Sequence, residues 1–235
     1  MISTMLLLLQ ETAQQALAES AAPAGTSMSI LDMLLKGGWV MAPIALLSVL
    51  ALYIFVERWL TLRKASSDPA ALIDRVRSYI LNEDIRSALL YLDTENTPIS
   101  RILKKGLERL GRPITDIQEA VQAAGKHEAF ELEKRTDILA SIASIAPMLG
   151  FLGTVTGMIK AFQQIQNLQG NVNPSVLAEG IWEALITTAA GLVVGIIATF
   201  AYNFLINRIN RLINDMEQSA TQFIDLLQEP VSPTT

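Results

Sequence analysis

Three stretches of this chain are apolar for long enough to cross a bilayer: Trp39–Leu60, Ile138–Phe162 and Val176–Ile206. A hydrocarbon core of about 30 Å takes roughly 20 helical residues. The apolar residues run continuously and do not alternate with polar ones, so backbone satisfaction in lipid selects helices over a β-barrel. Basic residues then orient the spans. Leu62–Arg135 holds about a dozen Lys and Arg, the stretch before Trp39 only Lys36, and the loop Gln163–Ser175 none, which places the N-terminus outside and the large loop inside.

The polar segments carry their own pattern. Asp68–Pro69 and Thr97–Pro98 each put a capping side chain before a proline at the first helical position, and Thr115–Asp116–Ile117–Gln118 has capping-box spacing. These signals predict a small helical domain whose last helix, about Thr115 to Arg135, runs unbroken into the second span. After the third span, Ile209, Leu212, Ile213, Met216, Phe223 and Leu227 recur at helical spacing, so that helix is expected to continue inward with one apolar face. EPVSPTT reads as a frayed end.

At the other terminus, MISTMLLLLQ has a short apolar core and no basic residue before it, which argues against a cleaved signal peptide. ESAAPAGTSMS reads as a linker, and Ile30–Lys36 as a short amphipathic helix on the outer surface, ended by Gly37–Gly38. The expected organisation is an outer segment over 1–38, transmembrane helices over 39–60, 137–162 and 176–206, a helical domain over 61–136, an outer loop over 163–175, and a C-terminal helix and tail over 207–235.

Composition agrees with a membrane protein: of 235 residues, 51% are hydrophobic and 17% charged, with a mean hydropathy of +0.36. There is no cysteine, which removes thiolate chemistry and cysteine metal clusters, and one histidine, His127, in a charged helix, which argues against a His-based metal site or a Ser–His–Asp enzyme. The net charge of −5, with no basic stripe, gives nucleic-acid binding no support. No enzymatic activity, cofactor or metal is expected.

The exceptions to apolarity matter most. Glu183 lies about two turns inside the third span among Ile181, Trp182, Ala184 and Leu185, and an ionisable residue at a helix centre costs roughly 2.5–3.5 kcal/mol on insertion scales, so it is expected to border a cavity, partner or ion path. Glu179, one turn earlier, is expected at headgroup level. Thr187 falls on the side of Glu183, while Thr188 points some 140° away at 100° per residue. Thr154, midway along the second span, shares the depth of Thr188 because a short loop joins the two helices. Gly150, Gly153 and Gly157 with Ala146, and Gly191 and Gly195 opposite, form small-residue seams that permit close helix approach. The glycines at 150–157 lack the Lys–Ser/Thr pair of a phosphate loop.

Two patterns on these residues carry a resemblance. AP-x-x-G-x-x-GTV-x-G from Ala146, and G-I-x-E-A-L-x-x-T-x-x-GL from Gly180, lie within a region from about Ala129 to Leu227 that resembles the ExbB/TolQ/MotA family of proton-channel subunits. Three spans with the N-terminus outside look like ExbB or TolQ, since MotA proteins have four. The resemblance implies an all-α membrane protein forming a pentameric ring in the bacterial inner membrane. It implies a central pore lined by the second and third helices, which encloses a dimer of single-span ExbD/TolR-like partners bearing a membrane aspartate. Thr154 and Thr188 match the pore threonines and Glu183 the membrane glutamate. The implied function is conversion of proton or sodium motive force into work on a TonB/TolA-like protein. A TolQ-like envelope-maintenance or gliding-type role, and a structural scaffold, are the alternatives. Thr187 adds a hydroxyl where many relatives carry a small apolar residue, so it joins the expected ion path and leaves the ion open.

Overall fold

The structure, a computed structural model, describes residues 37–66, 68–167 and 174–228. The expected N-terminal helix at Ile30–Lys36 and the tail EPVSPTT lie outside the described residues. Seven helices account for all regular structure among those described, and no strand occurs there. They are α1 (Met41–Ala65), α2 (Pro69–Leu81), α3 (Ile85–Glu95), α4 (Pro98–Leu107), α5 (Ile114–Glu133), α6 (Thr136–Asn167) and α7 (Pro174–Gln228). Three of the helical stretches are long and apolar enough to cross a membrane; they contain the run Ile138–Phe162 and all but the first one or two residues of Trp39–Leu60 and Val176–Ile206.

Local chemistry sets most of the boundaries. Asp68 Oδ1 accepts from the Ala70 and Ala71 amides at 3.1 and 3.4 Å, with Pro69 following at the first helical position. Thr97 and Ser100 cap one another reciprocally ahead of α4. The capping box expected at Thr115 does not form: α5 starts a residue earlier, at Ile114, with Pro113 as its cap residue and no side-chain cap bond. Pro113 fixes the backbone entering the helix, which leaves Thr115 already inside the first turn.

The expected unbroken helix from Thr115 into the second span is broken. Lys134 is extended (φ −50°, ψ 133°) and Arg135 takes a positive φ of 68°, separating α5 from α6. Neither residue is a glycine or proline, and tertiary contacts hold the break. Arg135 Nη1 reaches Glu57 Oε1 of α1 at 3.0 Å, Thr136 Oγ1 donates to Glu133 O at 2.6 Å, and the buried Arg58 donates to Glu131 O at 3.3 Å. The continuation of α7 is observed as expected: Ile209, Leu212, Met216 and Phe223 are buried along one face.

α7 organises everything else. Its first half pairs with α6 and α1, and around its second half α2, α4 and α5 pack, with α3 bridging α2 and α4. The larger of two buried apolar clusters runs from Ala51 and Ile54 of α1 through Leu205 and Ile209 to Leu92, Leu103, Val121 and Phe223, and the smaller joins Val40, Met41 and Ile44 to Ile186. In the polar half, Arg101 grips the nearly buried Glu128 with two bonds, at 2.8 and 2.5 Å, tying α4 to α5. By contrast the outer surfaces of α6 and α7 are apolar and open, including Met148, Phe151, Ile196 and Phe200 at 66–75% exposure. A surface of that kind suits lipid or a neighbouring protein, and it is far more apolar than a water-facing helix presents.

Candidate functional site: the polar seam between α6 and α7

The seam begins with absent side chains. A Cβ placed on Gly150 would lie 3.0 Å from Thr187 O and 3.1 Å from Thr188 Cα, and one on Gly157 would lie 3.0 Å from Gly180 O. Opposite, a Cβ on Gly191 would come within 2.6 Å of Ala146 O. All five glycines singled out in the sequence therefore sit on the contact between the two helices, Gly150, Gly157 and Gly191 against backbone and Gly153 against the Thr187 side chain. Gly195 does so for an added reason. Pro147 lies inside α6, where its ring crowds the carbonyl of Ala143 one turn back, and the Gly195 backbone receives both that ring and that carbonyl. The seam extends one contact further than expected, with Gly180 against Ala161.

On this close-packed pair the two threonine hydroxyls meet. Thr154 Oγ1 and Thr188 Oγ1 are hydrogen-bonded to each other across the helices. Thr188 Oγ1 also lies 3.0 Å from Gly150 O and 3.2 Å from Ala184 O, and Thr154 Oγ1 lies 3.4 and 3.5 Å from the same two carbonyls. Each hydroxyl has one proton to donate, so two arrangements satisfy the pair. In one, Thr154 donates to Thr188, which donates to Gly150 O. In the other the direction is reversed. Whichever threonine donates to the other keeps its own oxygen lone pairs free for a third group.

Thr187 is placed differently. Its hydroxyl bonds back to Glu183 O and Ala184 O, both at 2.9 Å, and its side chain, 1% exposed, fills the space left by Gly153. It shares the Glu183 side of the helix, as the 100° spacing requires, and does not join the Thr154–Thr188 pair.

Glu183 has a partner that the sequence reading missed. Lys160 Nζ of α6 lies 2.6 Å from Glu183 Oε1, with the glutamate side chain 18% exposed and the lysine 45%. The signal was present: in a hairpin, residues equidistant from the turn face one another, and Lys160 and Glu183 are nearly so, as are Thr154 and Thr188. The backbone of Gly38 covers the same carboxylate. It takes φ +68°, and any Cβ there would collide with the Glu183 side chain. Glu179 is exposed, one turn toward the hairpin turn. At about 1.5 Å per residue the ion pair stands about 8 Å along α7 from Thr188, so charge and hydroxyls occupy successive levels of one seam. Among the described residues no group of His, Cys, Asp and Glu could hold a metal ion.

Comparison with known proteins places this hairpin in context. Residues 94–218 match the model of the MotA/TolQ/ExbB proton channel family. The chain is 33% identical over 182 residues to the biopolymer transport protein ExbB-like 1 of Synechocystis, covering 76% of this chain and 71% of that protein. It is 30% identical over 216 residues to the Tol-Pal system protein TolQ of Haemophilus influenzae, covering 84% and 91%. It is 29% identical over 203 residues to the biopolymer transport protein ExbB of Neisseria meningitidis, covering 80% and 90%. The family match starts at residue 94, well before Ala129, where the resemblance read from the sequence begins, so α4 and α5 belong to the shared region too. With three membrane-capable helices and a family match over more than half its length, this multi-pass membrane chain belongs to the MotA/TolQ/ExbB proton channel family.

Proposed function

We propose that the chain is an ExbB-like subunit of an inner-membrane motor that converts proton or sodium motive force into mechanical work on a TonB/TolA-like protein. In this reading five copies form a ring, the N-terminus lies outside, and α6 and α7 face a central pore holding a dimer of a single-span ExbD/TolR-like partner. Family membership and the similarity to ExbB and TolQ proteins support it.

The observation that carries the reading is the Thr154–Thr188 hydroxyl pair on the glycine seam. A hydroxyl accepts or donates without fixing a permanent charge, so an acidic group on a partner helix can bind there and leave again. Moving one charge through 100 mV yields about 2.3 kcal/mol, a quantum that a single strong ion pair would absorb but a weak polar contact would not. The chain itself then supplies the ring and a polar track, and the carrier carboxylate comes from the partner. Its role is ion passage and torque, with no bond-making step.

The test is Thr188→Val in cells that also express the partner. Loss of energised transport with the complex still copurifying is expected. Full transport would reject the reading, and loss of the complex would favour the scaffold alternative. A TolQ-like role in envelope maintenance is a second reading, supported by 30% identity over 91% of the Haemophilus TolQ, about as much as the Neisseria ExbB gives the first. Complementation of strains lacking one system or the other separates the two.

A further inference from the structure

Beyond the seam, α1 and α7 form a second polar feature on their outer side. A cleft of about 320 Å³ opens there, lined by Trp59, Leu62 and Arg63 of α1 and by Phe204, Asn207, Arg208 and Arg211 of α7. Its position is set by helical spacing: Trp59 and Arg63 are one turn apart, as are Phe204 and Arg208, and Arg211 follows one turn later. The two helices are held side by side just above it by the tilted Phe55–Phe204 ring contact at 6.1 Å.

Three observations point to one ligand chemistry. First, the cleft carries three guanidinium groups and no carboxylate, in a chain whose net charge is −5. Second, the guanidiniums are left over. Arg208 donates to Ser66 Oγ at 2.9 Å, while Arg63 and Arg211 have neither a hydrogen bond nor an ion pair among the described residues. Third, the cleft stands where the open apolar belt ends: Phe200 is 75% exposed, Trp59 and Phe204 are 43% and 46%, and basic residues follow within two turns. An amphipathic tryptophan, Trp59, followed by arginine marks the level at which acyl chains give way to headgroups.

We infer that this α1/α7 cleft is a binding site for an anionic phospholipid, with the phosphate held by Arg63, Arg208 and Arg211 and the upper acyl chain lying on Trp59 and Phe204. Guanidinium forks match phosphate oxygens in pairs, and Asn207 adds a neutral donor for headgroup hydroxyls. A free phosphate would meet the same donors. The apolar upper wall, which a free ion leaves uncovered, favours the lipid as the source. This site does not depend on the ion-transport reading, since neither Thr154 nor Thr188 takes part.

The test uses the full chain in zwitterionic detergent or in nanodiscs of stated composition, read by native mass spectrometry and thermal shift. Phosphatidylglycerol is expected to remain bound and to stabilise the protein, phosphatidylcholine and millimolar inorganic phosphate to do neither. Each arginine is expected to contribute about fivefold, so Arg63→Gln, Arg208→Gln and Arg211→Gln together should weaken phosphatidylglycerol binding on the order of a hundredfold. All three side chains are exposed, so the variant keeps its core. Lys64→Gln, an adjacent basic residue outside this cleft, should change binding little. Equal weakening by Lys64→Gln would reduce the effect to general surface charge and overturn the site. Binding of inorganic phosphate alone would overturn the lipid assignment. Unchanged lipid affinity in the triple variant, with a weakened ring, would show instead that a second copy of the chain covers the cleft.

Discussion

Lys160 of α6 and Glu183 of α7 form an ion pair at 2.6 Å across the hairpin, one level from the threonine pair. The pair explains how a carboxylate is tolerated among Ile181, Trp182 and Leu185: its charge is matched on the facing helix, and Gly38 closes over it without adding a side chain. The lysine is 45% exposed, so the coupling should resemble that of a partly solvated pair and not of a fully buried one. A double-mutant cycle with Lys160→Met and Glu183→Gln should give a coupling near 1 kcal/mol, about the upper end for exposed pairs, with the double variant more stable than Lys160→Met alone. Chemical denaturation in detergent measures it, and additive effects would show that the two charges act independently.

The seam predicts opposite outcomes for two glycines. A methyl group on Gly191 would meet Ala146 O at 2.6 Å and Gly150 Cα at 2.8 Å, both backbone atoms that cannot turn aside. Gly191→Ala should therefore push α6 and α7 apart and destabilise the hairpin by about 1–3 kcal/mol. Gly125, in α5, has nothing within 4 Å of its Cβ position. There the substitution to alanine removes backbone entropy from the unfolded chain and should stabilise α5 by up to about 1 kcal/mol. Thermal melts of the two variants side by side test whether close approach, and not glycine as such, is the determinant.

Much of this arrangement is legible in the sequence because its causes are local. A continuous apolar run can only be a helix in lipid, and Asp68–Pro69 and Thr97–Pro98 cap helices through atoms within three residues of each other. The glycine seam is legible too, since helical spacing places small residues on one face. The break at Lys134–Arg135 is not legible: neither residue breaks helices by itself, and the long-range contacts that hold it come from Glu57 and Arg58, more than 70 residues away. The Lys160–Glu183 pair lies between: neither residue announces the other locally, and only counting both helices outward from the turn brings them together. Thr115 misleads for a different reason, because Pro113 starts the helix first.

Outside the spans, one cap predicts a pH effect. Hydrogen bonds from Ser87 hold the Asp84 carboxyl below its ordinary range, the Ser87 amide standing 3.1 Å from Asp84 Oδ1. A depressed folded pKa means that the cap's contribution is fully present above the unfolded value, about 3.9, and is lost as pH falls through the folded value. The protection factors of the amides in the first turn of α3, measured against the intrinsic exchange rate at each pH, should therefore fall on acidification below about pH 4. Asp84→Asn keeps a capping oxygen but cannot titrate, so its exchange protection should be flat over the same range. Parallel loss of protection in both proteins would assign the acid sensitivity to other carboxylates.

Thr187 and Thr188 are neighbours with different partners, and that difference makes the sharpest test of which hydroxyls serve ion movement. Thr187 is sealed against Gly153, and its proton goes to carbonyls of its own helix. Valine has nearly its shape, and the carbonyls of Glu183 and Ala184 keep their helical amide donors, so Thr187→Val should cost no more than about 1 kcal/mol and leave transport intact. Thr188→Val removes the hydroxyl that meets Thr154 and should abolish coupling without loosening the seam, because the valine occupies the same space. Thr188→Ser, which retains the oxygen, should restore a large part of it. If instead Thr187→Val stops transport while Thr188→Val does not, the active oxygen lies on the Glu183 face of α7, and the path runs past the Lys160 pair and not past Thr154.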